Sequence, residues 1–289
     1  FNLSLEKGDV LGLIGPNGCG KTTSIMCMLS LLKYDSGTIE VFGKKDIQNE
    51  YDIKRKIGIV PQELAVFENL NVRENIDYFC GLYVQNKNER KRLVNEAIEF
   101  TGLQSHEKML QKKLSGGLKR RLNIACGISH KPELVILDEP TVAVDAQSRK
   151  FILDGIKNLA DNGASILYTT HYLDEAEYLC NKISIMDNGK NILTGDMQTL
   201  INGVSVKEKI TVVGYIKPEI ISILENQDDV VDVEVKENQV TLNYSNDVGN
   251  IKRLIHLLDD NNVVYEEIFS KKPKLEDIFL EMTGKELRE

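Results

Sequence analysis

The sequence predicts an α/β protein made of a mostly parallel sheet flanked by helices, with a helical insert, followed by a smaller α+β domain. Three observations support this prediction. Short apolar runs bounded by glycine or proline, such as Val10–Ile14 and Ile57–Val60, alternate with longer helical patterns. The interval from about 68 to 130 has a helical pattern throughout. Beyond residue 204, the order of the elements and the net charge both change.

The composition is that of an ordinary globular protein. The chain has 289 residues, of which 42% are hydrophobic and 28% charged, which excludes a disordered chain, a collagen-like repeat and a disulfide-dense miniprotein. No uncharged apolar stretch approaches the roughly 18 residues that span a bilayer. A net charge of −8 and an aromatic fraction of 6% also argue against a general nucleic-acid binder.

Charge and cysteine are unevenly distributed along the chain. Residues 1–203 carry a net charge of −1, whereas residues 204–289 carry −7 and contain none of the five cysteines. We therefore predict a domain boundary between residues 203 and 204. The scattered, odd number of cysteines is typical of reduced thiols in a cytosolic protein. Because the chain begins without Met and within a predicted strand, Asn2–Leu5, we expect that a few tens of N-terminal residues are absent.

Glycine, proline and asparagine bound the predicted elements of the first domain. In chain order, these elements are the strands Asn2–Leu5 and Val10–Ile14, the helix Lys21–Leu32, the strands Thr38–Val41 and Ile57–Val60, the helical interval 68–130, the strand Leu134–Leu137, the helix Gln147–Leu159, the strand Ser165–Thr169, the helix Leu173–Cys180, and a hairpin of Lys182–Met186 and Asn191–Thr194.

The second domain, 204–289, shows a βαββαβ order, which is typical of a ferredoxin-like sandwich. Its predicted elements are Lys207–Val213, Pro218–Asn226, Val230–Val235, Gln239–Tyr244, Asn250–Asp260 and Val263–Phe269. A last helix after Pro273 places Leu275, Ile278, Phe279 and Met282 on one face. That face either covers the sheet of its own domain, which we favour, or docks elsewhere and regulates the first domain.

A phosphate-binding loop, or P-loop, is predicted between a buried strand and a helix. Its residues satisfy the pattern G-x-x-x-x-G-K-[ST]: Gly15-Pro16-Asn17-Gly18-Cys19-Gly20-Lys21-Thr22. Glycines allow the backbone N–H groups to point inward, and the helix N-terminus adds positive potential for a phosphate group. We expect Lys21 to reach the β- and γ-phosphates of a nucleotide and the Thr22 hydroxyl to bind Mg²⁺.

Two adjacent carboxylates, Asp138 and Glu139, follow the buried strand Leu134–Leu137. Adjacent side chains at the end of a strand point in different directions, so Asp138 can face a metal ion while Glu139 faces an attacking water as general base. An exposed acidic turn is the ordinary alternative, and the P-loop upstream argues against it.

The segment Leu114-Ser115-Gly116-Gly117 precedes a helix and creates a second phosphate-facing N-terminus. With this motif between a P-loop and a strand ending in Asp-Glu, the chain resembles the ATP-binding subunits of ATP-binding-cassette (ABC) transporters. The resemblance implies a P-loop ABC ATPase domain with a helical insert over residues 1–203, and an accessory domain after it. The stretches Thr170–Ala176 and Leu275–Leu280, together with Thr283-Gly284-Lys285-Glu286-Leu287, resemble ABC-2-type exporters of the antibiotic and multidrug group.

The resemblance also implies roles for single residues. Gln62, Glu139 and His171 match the Q-loop, the catalytic base and the switch histidine, and Asp145 matches the D-loop aspartate. Metal ligands are expected at Thr22, Gln62 and Asp138. The residues expected to bind ATP are Gly15, Pro16, Asn17, Gly18, Cys19, Gly20, Lys21, Thr22, Thr23, Ser115, Gly116, Gly117 and Asp145. In the D-loop, Ala143 and Ala146 stand where the family more usually has Gly and Pro.

In the mechanism that the resemblance implies, two ATP-binding subunits enclose two ATP molecules head to tail. The partner is a second copy or a paralogous subunit, and closure drives separately encoded transmembrane permease subunits from the cytoplasmic face of the membrane. No nucleic-acid partner is expected. Two alternatives are a soluble ABC ATPase acting on ribosomes or DNA, and a regulatory module that binds nucleotide without hydrolysing it.

Cys19 has two possible roles in the P-loop. It is either a small residue that fits the loop, which we favour, or a reactive thiol whose pKa is lowered by Lys21 and the helix N-terminus.

Overall fold

The computed structural model describes residues 1–284, which form two compact units. The first unit is Phe1–Thr194 and the second begins at Gly195. This division falls earlier in the chain than the boundary predicted between residues 203 and 204. The helix Met197–Asn202, which the sequence patterns do not predict, belongs to the second unit.

The first unit alternates strands and helices, as predicted. Its strands are β1 (Val10–Ile14), β2 (Glu40–Val41), β3 (Lys44–Lys45), β4 (Ile57–Val60), β5 (Leu134–Asp138), β6 (Ser165–Thr170), β7 (Lys182–Asp187) and β8 (Lys190–Gly195). Its helices are α1 (Lys21–Met28), α2 (Tyr51–Lys54), α3 (Val72–Gly81), α4 (Lys87–Phe100), α5 (Gly116–Ile128), α6 (Ala146–Asp161) and α7 (Leu173–Leu179).

Six of these strands form one sheet in the order β4-β5-β6-β1-β7-β8. The pairs from β4 to β7 are all parallel, so β4, β5, β6 and β1 end at the same edge of the sheet. Every residue of β1 and β5 is buried, because helices cover both faces. This topology places the P-loop, Asp138, Glu139 and His171 at one edge, where ligands bind in such sheets.

Apolar side chains on the two faces of this sheet form separate cores. One face packs Leu11, Leu13 and Ile136 with Ile25 of α1. The other packs Val135, Ile166 and Tyr168 against α5, α6 and α7. The helical insert has a third core, built mainly from α3, α4 and α5, in which Ile76 and Leu122 are fully buried. The predicted helical interval therefore contains three α-helices packed on one another, with two short 3-10 helices between α4 and α5.

Two predicted elements at the start of the chain are wrong. Asn2–Leu5 forms no strand, since within residues 1–284 it has no ladder partner; side chains bind its carbonyls instead, for example Asn191 Nδ2 at 2.9 Å from Asn2 O. The helix predicted to end at Leu32 ends at Met28, because Ser30 adopts a left-handed conformation with φ of 57°.

The second unit contains α8 (Met197–Asn202), β9 (Glu208–Val213), α9 (Pro218–Glu225), β10 (Val230–Lys236), β11 (Gln239–Tyr244), α10 (Asn250–Asp260), β12 (Glu267–Lys271) and α11 (Leu275–Thr283). Its sheet has the order β10-β11-β9-β12 with antiparallel neighbours. The last strand begins later than predicted, because its ladder with β9 ends at the pair Val213–Glu267. Leu275, Ile278 and Phe279 of α11 are buried as predicted, and α11 contacts α8. Of the closing motif, residues 285–287 lie outside the described residues.

No helix within residues 1–284 is both long enough and apolar enough to cross a membrane.

Candidate functional site

The P-loop joins β1 to α1 and depends on glycine at three positions. Gly18 and Gly20 have φ of +80° and +111°, a region that side chains with a Cβ rarely adopt. A Cβ on Gly15 would lie 2.2 Å from the carbonyl oxygen of Met186 in β7. The loop therefore wraps tightly over the sheet edge and leads into α1, whose first N–H groups have no side-chain cap. Such a terminus binds anions readily.

Lys21, the first residue of α1, turns its side chain back across the loop. Its Nζ donates a hydrogen bond to the Gly15 carbonyl at 2.7 Å and lies 3.4 Å from Glu139 Oε1. Only 5% of the residue is exposed. The ammonium group is thus a buried positive charge between the P-loop and the end of β5, where it can neutralise a phosphate oxygen.

Asp138 ends β5 with both carboxylate oxygens bonded to hydroxyl groups. Thr22 Oγ1 donates to Asp138 Oδ2 at 2.8 Å, and Thr169 Oγ1 donates to Oδ1 at 2.5 Å. A hydroxyl and a single carboxylate side by side fit Mg²⁺, which prefers oxygen ligands and usually shares them with water and substrate phosphates. Residues 1–284 contain no cluster of three or more acidic, His or Cys side chains able to hold a metal alone.

Glu139 is held in a strained backbone conformation with φ of +46°. Thr169 fixes its backbone N–H, which donates to the Thr169 carbonyl at 3.2 Å and lies 3.0 Å from Oγ1. The left-handed turn directs the Glu139 carboxylate away from Asp138 and towards two further predicted residues. Gln62 Nε2 lies 3.3 Å from Glu139 Oε2, and His171 Nδ1 lies at the same distance from that atom.

Three predicted residues therefore meet around the carboxylate of a fourth: Lys21, Gln62 and His171 converge on Glu139 from the ends of three other strands. Glu139 is only 6% exposed. A buried carboxylate that is oriented by several polar groups can accept a proton from a water molecule. The arrangement has the geometry expected of a general base at a phosphate-binding site.

The signature segment, Ser115-Gly116-Gly117, lies at the start of α5. Its hydrogen bonds are made there and not with the P-loop. The Ser115 hydroxyl caps α5 by accepting a bond from the Leu118 N–H at 3.3 Å. Among residues 1–284, no hydrogen bond or ion pair joins residues 115–117 to the P-loop. The structure thus brings the P-loop, Asp138, Glu139, Gln62 and His171 together and leaves the signature segment apart from them.

Asp145 lies beside the signature segment. Its side chain caps α6 by accepting the Ser148 N–H at 2.9 Å, and this bond holds the pKa of the Asp145 carboxyl below its usual range. Two residues earlier, Ala143 has φ of +59°, a left-handed conformation that suits the glycine usual in the family. The Asp145 loop and the start of α5 pack together through Ser148 and Gly117.

The adjacent glycines of the signature segment differ in the space around them, which gives a matched pair of variants. A Cβ on Gly117 would lie 2.3 Å from Ser148 Oγ and 2.9 Å from Ser148 Cβ, whereas a Cβ on Gly116 would meet nothing closer than 4.0 Å. We expect Gly117→Ala to lower the free energy of unfolding by about 1–3 kcal/mol through overpacking. Gly116→Ala should leave it unchanged or raise it slightly, since Ala favours helix. Denaturant unfolding measures both, and equal stabilities would contradict this packing.

Two residues on α5 that the sequence patterns do not identify hold the loop around Gln62. Arg120 Nη1 donates to the Gln62 carbonyl at 2.7 Å, and Asn123 Nδ2 donates to the Pro61 carbonyl at 3.1 Å. Both side chains are buried, and burial lowers the pKa of Arg120. In the sequence, Arg120 and Asn123 are two polar positions three residues apart on a predicted helix. That pattern does not identify the groups that these side chains bind.

The hypothesis that Cys19 is an activated thiol is wrong. Cys19 is only 5% exposed, and burial raises the pKa of its thiol against the smaller lowering effect of Lys21. The thiol fills space in the loop, as the ordinary alternative holds. We expect a maleimide at neutral pH to modify Cys19 no faster than the partly exposed Cys27. Peptide mass mapping over a time course measures this, and Cys19 as the first labelled cysteine would contradict it.

Comparison with known proteins shows the family of the chain. Residues 1–142 match the family model described as ABC transporter. The linearmycin resistance ATP-binding protein LnrL of Bacillus subtilis is 37% identical over all of this chain and 94% of its own length. A Nod factor export ATP-binding protein of Sinorhizobium fredii is 30% identical over the whole chain and 82% of its length.

Among solved structures, cbiO1 from Clostridium perfringens, part of the ABC transporter complex cbiONQ, is similar with a TM-score of 0.63. It is 26% identical, and the match covers 71% of this chain and 86% of that one. The chain therefore belongs to the ABC transporter family, as one of its ATP-binding proteins. It is an ATPase subunit of a transporter, and the relatives favour this function over a soluble ATPase acting on ribosomes or DNA.

Proposed function

We propose that this chain hydrolyses ATP to power an exporter, and that the residues around Glu139 perform the reaction. The observation that carries the proposal is the convergence of Lys21, Gln62 and His171 on the Glu139 carboxylate. Export is supported by the names of two relatives that the chain matches along its whole length, one for linearmycin resistance and one for Nod factor export.

In the proposed mechanism, the P-loop N–H groups and Lys21 bind the β- and γ-phosphates of ATP. When Mg²⁺ is bound, Thr22, Asp138 and Gln62 would hold it, and it offsets negative charge on the phosphate oxygens. Glu139 accepts a proton from a water molecule whose oxygen bonds to the γ-phosphorus, while the bond from that phosphorus to the bridging oxygen breaks. ADP and inorganic phosphate are the products. His171 orients Glu139 and contacts the γ-phosphate.

A second ATP-binding subunit, either another copy or a paralogue, completes each site. Its Ser115, Gly116 and Gly117 would bind the γ-phosphate across the interface. Two features support this proposal: the start of α5 presents N–H groups suited to an anion, and in the described part of the chain, residues 1–284, it has no bond to the P-loop. Asp145 lies beside the signature segment and would face the same interface, where it can link the two sites.

We further propose that the chain lies on the cytoplasmic face of the membrane as a peripheral subunit bound to separately encoded permease subunits. The family supports permease partners in general terms. The net charge of −8 argues against nucleic acid as a partner, since nucleic-acid binding requires clusters of positive charge.

Co-purification tests the proposal directly. The tagged Glu139→Gln variant is isolated with Mg·ATP from detergent-solubilised membranes of its own source, beside a parallel isolation from cells with no tagged chain. We expect a protein with several transmembrane helices in an amount comparable to the bait. Recovery of ribosomes or DNA, or of no membrane protein, would contradict the exporter proposal.

For the second unit, we propose a ferredoxin-like accessory domain that packs on itself. This is supported by its βαββαβ order, its antiparallel sheet β10-β11-β9-β12 and its own core, which includes Ile210, Leu242 and Leu254. We expect deletion of residues 196–289, which removes the second unit after the end of β8, to leave the ATP turnover of the first unit within about twofold, because separate domains keep their own cores. Phosphate release by the two purified proteins measures this, and loss of turnover or of its ATP cooperativity would indicate a regulatory domain.

A further inference from the structure

Glu175, on the first turn of α7, is a fully buried carboxylate outside the residues assigned above. It is 1% exposed, and one of its oxygens, Oε2, accepts hydrogen bonds from three hydroxyl groups. The donors are Tyr168 at 2.7 Å, Thr141 at 2.9 Å and Thr170 at 3.0 Å. Burial, together with the neighbouring Glu175, raises the pKa of Tyr168 well above its usual range, so its hydroxyl remains a donor.

These donors come from the two segments that carry the proposed base and the switch histidine. Thr141 lies two residues after Glu139, and Thr170 directly precedes His171. The Thr170 hydroxyl also accepts a hydrogen bond from the Tyr172 N–H at 2.9 Å. The backbone on both sides of His171 is therefore connected, through this hydroxyl, to the Glu175 carboxylate.

The second oxygen of the Glu175 carboxylate contacts a residue of α6. Glu175 Oε1 lies 3.4 Å from Arg149 Nε, an ion pair in which neither atom has a hydrogen bond. The Arg149 guanidinium stacks 4.2 Å above the ring of Tyr172, and that ring lies 4.2 Å from the ring of His171. Arg149 is in the first turns of α6, which begins directly after Asp145. One buried group therefore contacts segments leading to Glu139, His171 and Asp145.

We propose that Glu175 is a positioning residue that sets the orientation of His171 relative to Glu139. The inference rests on the proposed roles of those two residues. Glu175 does not contact the reacting atoms. It holds the loop after β5 and the end of β6 at the separation that places His171 Nδ1 3.3 Å from Glu139 Oε2. Displacements of about 1 Å at a catalytic group can lower turnover by two orders of magnitude.

Steady-state ATP hydrolysis by Glu175→Gln tests this inference. The amide keeps the volume and one acceptor oxygen and removes the charge facing Arg149. We expect kcat to fall about tenfold, with KM for ATP and nucleotide affinity within about twofold of wild type, because the P-loop is untouched. Tyr168→Phe, which removes one of the three donors, should lower kcat by a smaller factor and serves if Glu175→Gln does not fold.

The control variant is Tyr178→Phe, on the same helix. It also removes a hydroxyl-to-carboxylate bond, from Tyr178 to Asp154 at 2.6 Å, but at an exposed position away from the site. We expect its kcat to equal that of wild type. A general loss of stability through α7 would lower turnover in both variants, whereas a positioning role lowers it only for Glu175→Gln.

A double-mutant cycle with His171→Ala separates positioning from a merely structural role. If Glu175 acts through His171, Glu175→Gln should change kcat by less than about twofold when His171 is already absent. The same tenfold loss in both backgrounds, or wild-type turnover in Glu175→Gln and Tyr168→Phe, would overturn the inference. A wild-type chain that binds ATP without hydrolysing it would instead refute the proposed function, and the inference with it.

Discussion

Glu139→Gln is expected to lower kcat for ATP hydrolysis by about 10²–10⁴-fold, since this is the range that a general base contributes. The amide keeps the size of the side chain and can still contact Lys21 and His171, but it cannot accept the proton of the attacking water. Nucleotide affinity should stay within about threefold of wild type, because the P-loop contacts remain. Single-turnover hydrolysis with radiolabelled ATP measures the rate, and equilibrium titration with a fluorescent ATP analogue measures the affinity.

Glu133→Gln is the matched control for this variant. Glu133 immediately precedes β5, where it forms an exposed ion pair with Lys56 at 3.1 Å at the opposite end of that strand from Glu139. Exposed pairs of this kind contribute little to stability, so turnover should be unchanged. If Glu139→Gln hydrolysed ATP at a rate within about threefold of Glu133→Gln, Glu139 would not be the base, and the general acid–base account would be wrong.

Gly15→Ala is expected to weaken nucleotide binding severely. The added Cβ would lie 2.2 Å from the Met186 carbonyl and 2.7 Å from Cys19 Sγ, and a backbone oxygen of a buried strand cannot move aside as a flexible side chain can. The P-loop must therefore leave the sheet edge, which removes the inward-pointing N–H groups. We expect affinity for ATP to weaken by at least about 100-fold and the free energy of unfolding to fall by about 1–3 kcal/mol.

Gly155→Ala provides the comparison for Gly15→Ala. Gly155 lies in the middle of α6, where a new Cβ would meet Phe100 at an ordinary 3.6 Å. This change should raise the free energy of unfolding by about 0.5–1 kcal/mol, because Ala favours helix over Gly, and leave ATP binding unchanged. Thermal melting and nucleotide titration are measured on both variants. Wild-type affinity in Gly15→Ala would show that the loop does not need this close approach.

Much of the site could be predicted because each part is a local pattern placed by the sheet. The P-loop pattern defines Gly15 to Thr22 without any knowledge of distant contacts. The parallel strands then bring Asp138, Glu139 and His171 to one edge, because parallel strands end on the same side. The predicted meeting of Glu139 with His171 is confirmed at 3.3 Å, although the two residues are far apart in sequence.

The contacts that orient the site could not be predicted, because they depend on tertiary packing. Arg120 and Asn123 bind backbone carbonyls at residues 61 and 62, and nothing in their own helix indicates those partners. Glu175 lies in a helix with other acidic residues and has the local pattern of an exposed position. Its burial follows from the packing of α7 against β6 and β1.

The activated-thiol alternative for Cys19 could not be excluded from the sequence for the same reason. Sequence shows the neighbouring Lys21 and the helix N-terminus, both of which favour the thiolate. It does not show how deeply the loop is buried, and burial is the larger effect on the pKa of this group. The absence of a strand at Asn2–Leu5 likewise depends on whether a ladder partner is present, which residues 1–284 do not supply.

The measurement that tests the central claim most directly is sedimentation equilibrium of Glu139→Gln with and without Mg·ATP. The claim is that the signature segment of a second copy of this chain completes the site. We predict a mass of 32.6 kDa per particle without ATP and twice that mass with ATP, whereas the double variant Glu139→Gln, Ser115→Arg should bind ATP and remain at 32.6 kDa. Monomers of Glu139→Gln saturated with ATP, or equal dimerisation of the double variant, would contradict it.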